Sequence, residues 1–149
     1  MKPVRLAAGL VAGLALPAPG AAAPLCDDLG FAGLLAGCNK MDLPPLTLSA
    51  GKPIADGPLG LSSGVYYRLD IIADGTQELG LVGPDFFRAI WVDEVIVNDI
   101  EVRPMGLHSI EFDRAGTLRL TFIAIKPGQY ELKIPGSTGE TQRVDITIR

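Results

Sequence analysis

The side chains best suited to metal or redox chemistry in this sequence are few. Cys26 and Cys38 are the only cysteines, and His108 is the only histidine. His108 stands with Met105 in a Met-x-x-His spacing after Pro104. A thioether and an imidazole are ligands that suit Cu(I). Two donors leave such a site open and weak unless further groups join it. The plainer reading is a loop in which Met105 packs and His108 is exposed or hydrogen-bonded. Among the acids, Asp93 and Glu94 are adjacent within a predicted strand, so they should point to opposite faces. Asp99 and Glu101 should share a face and form a solvated edge. No run places several oxygens on one loop as calcium requires. Nucleophilic catalysis has one histidine base at most and no Ser in an elbow motif. No catalytic, cofactor-binding or metal residue is therefore expected, and the chain reads as a non-enzyme. Tyr66, Tyr67, Phe86, Phe87 and Trp91 could line a sugar-binding platform, but aromatics of this kind dominate small β cores.

The cysteines depend on the compartment. Lys2 and Arg5 precede an apolar run from Leu6 to Leu16, followed by Pro17, Pro19, Gly20 and Ala21 to Ala23. This is the layout of a secretory signal peptide. The run is too short to span a bilayer, which takes roughly 20 residues. Cleavage is expected after Ala22 or Ala23, with Pro24 favouring Ala22. In an oxidising compartment the two cysteines suggest a disulfide. Leu35-Ala36-Gly37-Cys38 also matches a lipobox, which would make Cys38 a lipid anchor. Asp27 and Asp28 separate it from the apolar run, a poor setting for that motif. Localisation is thus periplasmic or secreted, with a lipoprotein held through Cys38 as the alternative.

Cleavage would take Lys2 and Arg5 from the 13 basic residues and none from the 17 acidic ones, leaving a formal charge of about −6. Such a surface repels nucleic acid and anionic lipid. No transmembrane helix is expected in the mature chain, and its partner would be a periplasmic or membrane-complex protein that the sequence does not name.

The elements that would position these residues are almost all β. Three segments follow one another: the signal peptide (residues 1–22), a cysteine-containing segment (23–42) and one domain (43–149). Val65 to Ile72 alternates, with Val65, Tyr67, Leu69 and Ile71 on one face. Asp74-Gly75 predicts a hairpin turn, with Gln77 to Val82 as the returning strand. Pro84 to Arg88 predicts a helical turn started by proline. Trp91 to Val97 is a strand closed by Asn98-Asp99. Ile100 to Arg103 and Ser109 to Phe112 are shorter strands. Thr117 to Ile125 becomes apolar on both faces, which marks a central strand. Gln129 to Ile134 and a final strand follow, with Val144, Ile146 and Ile148 inward. Short strands between Gly and Pro turns indicate an all-β Greek-key sandwich.

Several stretches, in order, resemble the cupredoxin superfamily, and most of all its exported bacterial members. Leu61 to Leu69 is similar to the family's early strand. Asp74-Gly75 followed by Gly83-Pro84-Asp85-Phe86-Phe87 resembles its hairpin and Pro-acid-Phe-Phe turn. Ile110 to Thr117 is similar to the strand and Gly turn before the long central strand. Lys126-Pro127-Gly128-Gln129-Tyr130 resembles the Pro-Gly-x-Tyr hairpin before the metal loop. The resemblance implies a type-1 copper site of two His, one Cys and a weak axial Met. This sequence departs from it at every ligand. Leu79 stands near the first His position and Ile134 at the Cys position, and residues 135–141 supply neither His nor Met. The expected function is a metal-free, exported cupredoxin-like accessory or interaction module, which the resemblance links to periplasmic copper or iron handling. The alternative is a periplasmic copper or ferrous-iron carrier using Met105 and His108 outside the type-1 position.

Overall fold

Strands carry this structure, a computed structural model that describes residues 26–149. The expected signal peptide lies outside those residues. Short 3-10 turns at Asp27–Gly33 and Gly37–Asn39 lead into β1 (Lys40–Asp42). Then come β2 (Leu46–Leu48), β3 (Leu59–Leu61), β4 (Tyr66–Ala73), β5 (Leu79–Val82) and the helical turn α1 (Pro84–Arg88). The remaining strands are β6 (Ile90–Val97), β7 (Ile100–Val102), β8 (Ser109–Phe112), β9 (Gly116–Ala124), β10 (Gly128–Lys133) and β11 (Arg143–Ile148).

They form two sheets. One runs β1-β4-β9-β6-β7, with β2 beside β1 on the same margin of β4; the other runs β3-β11-β10-β5-β8. The expected β-sandwich is what the chain adopts. The strand expected to be central, β9, lies between β4 and β6 over residues 118–123. Asn98 and Asp99 both take positive φ (48° and 64°), as a two-residue hairpin between β6 and β7 requires.

Alternation builds the core. Tyr67, Leu69 and Ile71 of β4 and Leu118, Leu120 and Phe122 of β9 face inward. From the other sheet come Leu81, Leu132, Val144, Ile146 and Ile148. The Tyr67 hydroxyl accepts a bond from the Ser62 amide at 2.7 Å, so its burial leaves no polar atom stranded. Phe86 and Phe87 of α1 close one end of the sandwich. Gly83 lets this turn sit tight: a Cβ there would lie 2.5 Å from Leu132 Cδ2 and 2.6 Å from the Glu131 carbonyl. Of the five aromatics singled out in the sequence, only Trp91 reaches the surface.

One expectation fails. Asp74-Gly75 is a turn but not a hairpin, because β4 and β5 belong to different sheets. The segment is a crossover from one sheet to the other. Gly75 has a φ of +76° and lies against Ala115, where a Cβ would approach the backbone nitrogen to 2.7 Å. Thr76 donates to Asp74 Oδ1 from its amide (3.0 Å) and its hydroxyl (2.6 Å). The Ser49 hydroxyl, then these Thr76 donors, hold the Asp74 carboxyl down to about 2, from 3.8. A folded-state value below the unfolded one stabilises the protein at neutral pH, and that part is lost as pH falls from about 4 to about 2. Carboxyl NMR should show Asp74 titrating last among the acids, and Asp74→Asn should flatten the fall of stability over that window.

Candidate functional site

The positions matched to type-1 ligands in the sequence, Leu79 and Ile134, lie on β5 and just past the end of β10, two neighbouring strands of one sheet. Lys133 pairs with Val82, which sets the end of β10 beside β5. Ile134 is buried and Leu79 packs against the same core cluster. The following loop is closed by its own backbone: Ile134 N–H donates to Gln142 O at 2.9 Å and Ser137 N–H to Ile134 O at 3.2 Å. Ile54 N–H donates to Thr141 O at 3.0 Å and holds the loop from outside. Neither aliphatic side chain has a lone pair to give a metal, so the residues present do not fit a type-1 copper ion.

Met105 and His108 share the loop between β7 and β8, and both are exposed. Met105 lines a surface cleft with Trp91 and Arg103, and His108 is not among the residues around it. No group of three or more His, Cys, Asp or Glu side chains suited to a metal occurs among the described residues.

The polar centre of the molecule lies elsewhere, on the outer face of the β4–β9–β6 sheet. Between Val92 and Glu94 the pairing with β9 slips by one residue, a β-bulge. The bulge corrects the expectation for Asp93 and Glu94: the two carboxylates converge instead of pointing apart. Arg103 Nη1 donates to Asp93 Oδ1 at 2.7 Å, and Nη2 donates to Glu94 Oε1 at 2.9 Å and to Glu101 Oε1. Asp93 is buried, and its Oδ2 accepts the Tyr66 hydroxyl at 2.8 Å. Burial, and then the Asp93 carboxylate, raise the Tyr66 phenol above its ordinary value. The expected solvated edge at Glu101 is thus part of an ion cluster, whereas Asp99 makes no salt bridge there. The signal was in the sequence. The inward residues Ile90 and Val92 fall out of step with Val95, and the doublet Asp93-Glu94 fills the extra place.

The same face carries the cysteine segment as a partial third layer. Cys26 and Cys38 form a disulfide with Cα atoms 5.8 Å apart, as the spacing suggested. While that bond stands, Cys38 has no free thiol. Asn39 is fully buried and donates through Nδ2 to the carbonyls of Leu34 and Gly64, both at 2.8 Å. β1 then pairs with Tyr66, Tyr67 and Arg68 of β4. Lys40 Nζ stands 4.7 Å from the centre of the Tyr66 ring. Ala32, Leu34 and Leu35 lie over Ile123, whose side chain points away from the sandwich core and is nonetheless buried. Further along this face, Arg68 grips Asp42 through two bonds (2.6 and 2.5 Å), and Arg119 grips Asp70 (2.8 and 3.1 Å). Both pairs are open to solvent, so screening leaves each a small contribution to stability.

Solved structures resemble this arrangement. A multicopper oxidase from Campylobacter jejuni superposes with a TM-score of 0.51 at 10% identity, over 73% of this chain and 30% of that one. A multi-copper oxidase from Pseudomonas thermotolerans superposes with a TM-score of 0.52 at 14% identity, over 74% of this chain and 30% of that one. The fold is therefore cupredoxin-like. The chain spans less than a third of the length of these two enzymes. No protein-family model matches the sequence, and no curated protein is similar to it. Among the described residues, no helix is long and apolar enough to cross a membrane.

Proposed function

We propose that this chain is an exported, non-catalytic cupredoxin-like module that holds no type-1 copper and works by contact with another protein. The observation that carries the reading is the pair Leu79 and Ile134: aliphatic side chains stand where a copper site would need an imidazole and a thiolate, with Ile134 in the core and Leu79 packed against it. A sandwich whose metal loop has become an ordinary connection still presents loops and sheet faces to a partner. Export rests on the leader-like start of the sequence and on the paired cysteines. A setting in periplasmic copper or iron handling follows from the resemblance and belongs to this proposal, because a fold does not fix a function.

Metal analysis of the purified mature chain tests it. After incubation with Cu(I), Cu(II) and Fe(II) and gel filtration, the protein should carry no stoichiometric metal and show no blue thiolate-to-copper absorption. Stoichiometric metal that disappears in His108→Ala or Met105→Ala would replace this reading with a carrier. Blue absorption would overturn it outright.

A further inference from the structure

The cysteine segment leaves large apolar side chains uncovered beside the ion cluster. Phe31 is 93% exposed, Leu35 51%, Trp91 47% and Ile125 50%, and Met105 is fully exposed. They are contiguous: Leu35 and Trp91 line both the hollow over Ile123 and the cleft that continues to Met105 and Arg103. Scattered apolar residues need no explanation, but a continuous group of this size marks a contact surface. Its members are the rigid aromatic and adaptable thioether side chains that anchor interfaces.

The rim decides what sits there. Asp93 lines the same cleft as Trp91, and Asp93, Glu94 and Glu101 share Arg103 as their cation. Each carboxylate spends one oxygen on Arg103, and only Asp93 uses its second, on Tyr66. Glu94 and Glu101 are left with an acceptor each at the edge of the apolar group. A second copy is disfavoured, since an isologous pair would bring two such acidic clusters into one interface. Anionic lipid is repelled by the same charge.

We infer that the face formed by Phe31, Leu35, Trp91 and Met105 docks a protein segment carrying a large apolar side chain next to a Lys or Arg. The anchor would enter the cleft against Trp91 while the cation meets Glu94 and Glu101. This deepens the interaction-module reading and rests on it. It also gives the Cys26–Cys38 disulfide a use beyond stability, because that bond holds Leu35 in place beside Trp91.

A random linear-peptide library displayed against the oxidised protein tests the inference. Enriched sequences should place an aromatic or large aliphatic residue within a few positions of Lys or Arg. A synthetic consensus peptide should bind Trp91→Ala and Phe31→Ser about tenfold or more weakly than the parent chain. Phe31→Ser removes an exposed side chain and serves as the variant that folds if Trp91→Ala does not. Glu94→Gln with Glu101→Gln should weaken binding and reduce its dependence on salt. Enriched peptides without basic residues, or an equal affinity for Phe31→Ser, would overturn the inference and leave the metal-free reading standing. Sedimentation showing a dimer that Phe31→Ser dissolves would overturn it in favour of a second copy. Failure to enrich any peptide would count against the surface and the interaction reading together, while metal uptake alone would count only against the latter.

Discussion

Phe122→Ala should destabilise the protein by about 3–5 kcal/mol, the cost of emptying a fully packed aromatic site. Phe122 is completely buried in the C-terminal half of the long strand β9. Its ring meets Phe86 edge to face, with centroids 5.7 Å apart and planes at 86°, and packs against Tyr67 at 5.7 Å. It therefore joins α1, β4 and β9 at one point. The surroundings cannot collapse into the gap, because β9 is paired on both margins and its backbone is fixed. Domains of this size have total stabilities of about 5–15 kcal/mol, so the substitution removes a large share of the total. Chemical denaturation should show a lower midpoint at unchanged slope. Phe122→Leu, which keeps much of the volume, should cost clearly less. Equal losses for the two variants would show that the aromatic cluster is not what this position supplies.

Opening the Cys26–Cys38 bond should cost about 3 kcal/mol by the chain-entropy estimate for a short loop. The effect should be uneven across the molecule. The segment from Cys26 to Asn39 contains only 3-10 turns, and Asn39 Nδ2 ties it to the Gly64 carbonyl in the turn before β4. Without the disulfide the ordering of this segment rests on Asn39, on β1 and on the apolar hollow that Leu34 and Leu35 line together with Ile123. Hydrogen exchange on the paired Cys26→Ser, Cys38→Ser variant should show lost protection in residues 27–39 first, with β9 and β10 little changed. Trp91 fluorescence should shift to the red as Leu35 leaves it. Uniform loss of protection across both sheets would mean that the segment folds as part of the core and not as an added layer.

Much of this architecture could be read from residue alternation. The final strand, Val65 to Ile72 and the central β9 all declare an inner face by period two, and each folds with that face inward. The helical turn at Pro84 and the two-residue turn at Asn98-Asp99 follow from local backbone preferences. What escaped depends on long-range partners. β1, β2 and β3 have three residues each and pair in parallel with distant strands, so neither length nor turn chemistry reveals them. Asp74-Gly75 shows where the chain turns but not which sheet it enters next. That Leu79 and Ile134 carry no ligand atom is a matter of residue type and needs no fold to read. The ion cluster was missed because strict alternation was assumed through Asp93-Glu94, and one extra residue in β6 reverses that inference. Arg103, in turn, is called to its place by three carboxylates that only the bulge and the β6–β7 hairpin bring together.

The way β4 is flanked has a bearing on behaviour at high concentration. β1 occupies one part of its outer margin and β2 the rest, with Pro44 and Pro45 between them. Two short parallel pieces interrupted by residues that lack amide hydrogens close a long margin to strand addition. At the opposite margin of that sheet, β7 is only three residues long and carries Glu101 at its centre. A fibril seed would find no continuous ladder of free amides and carbonyls on either side of this sheet, so strand addition to β4 should require a chain that has already shed β1 and β2.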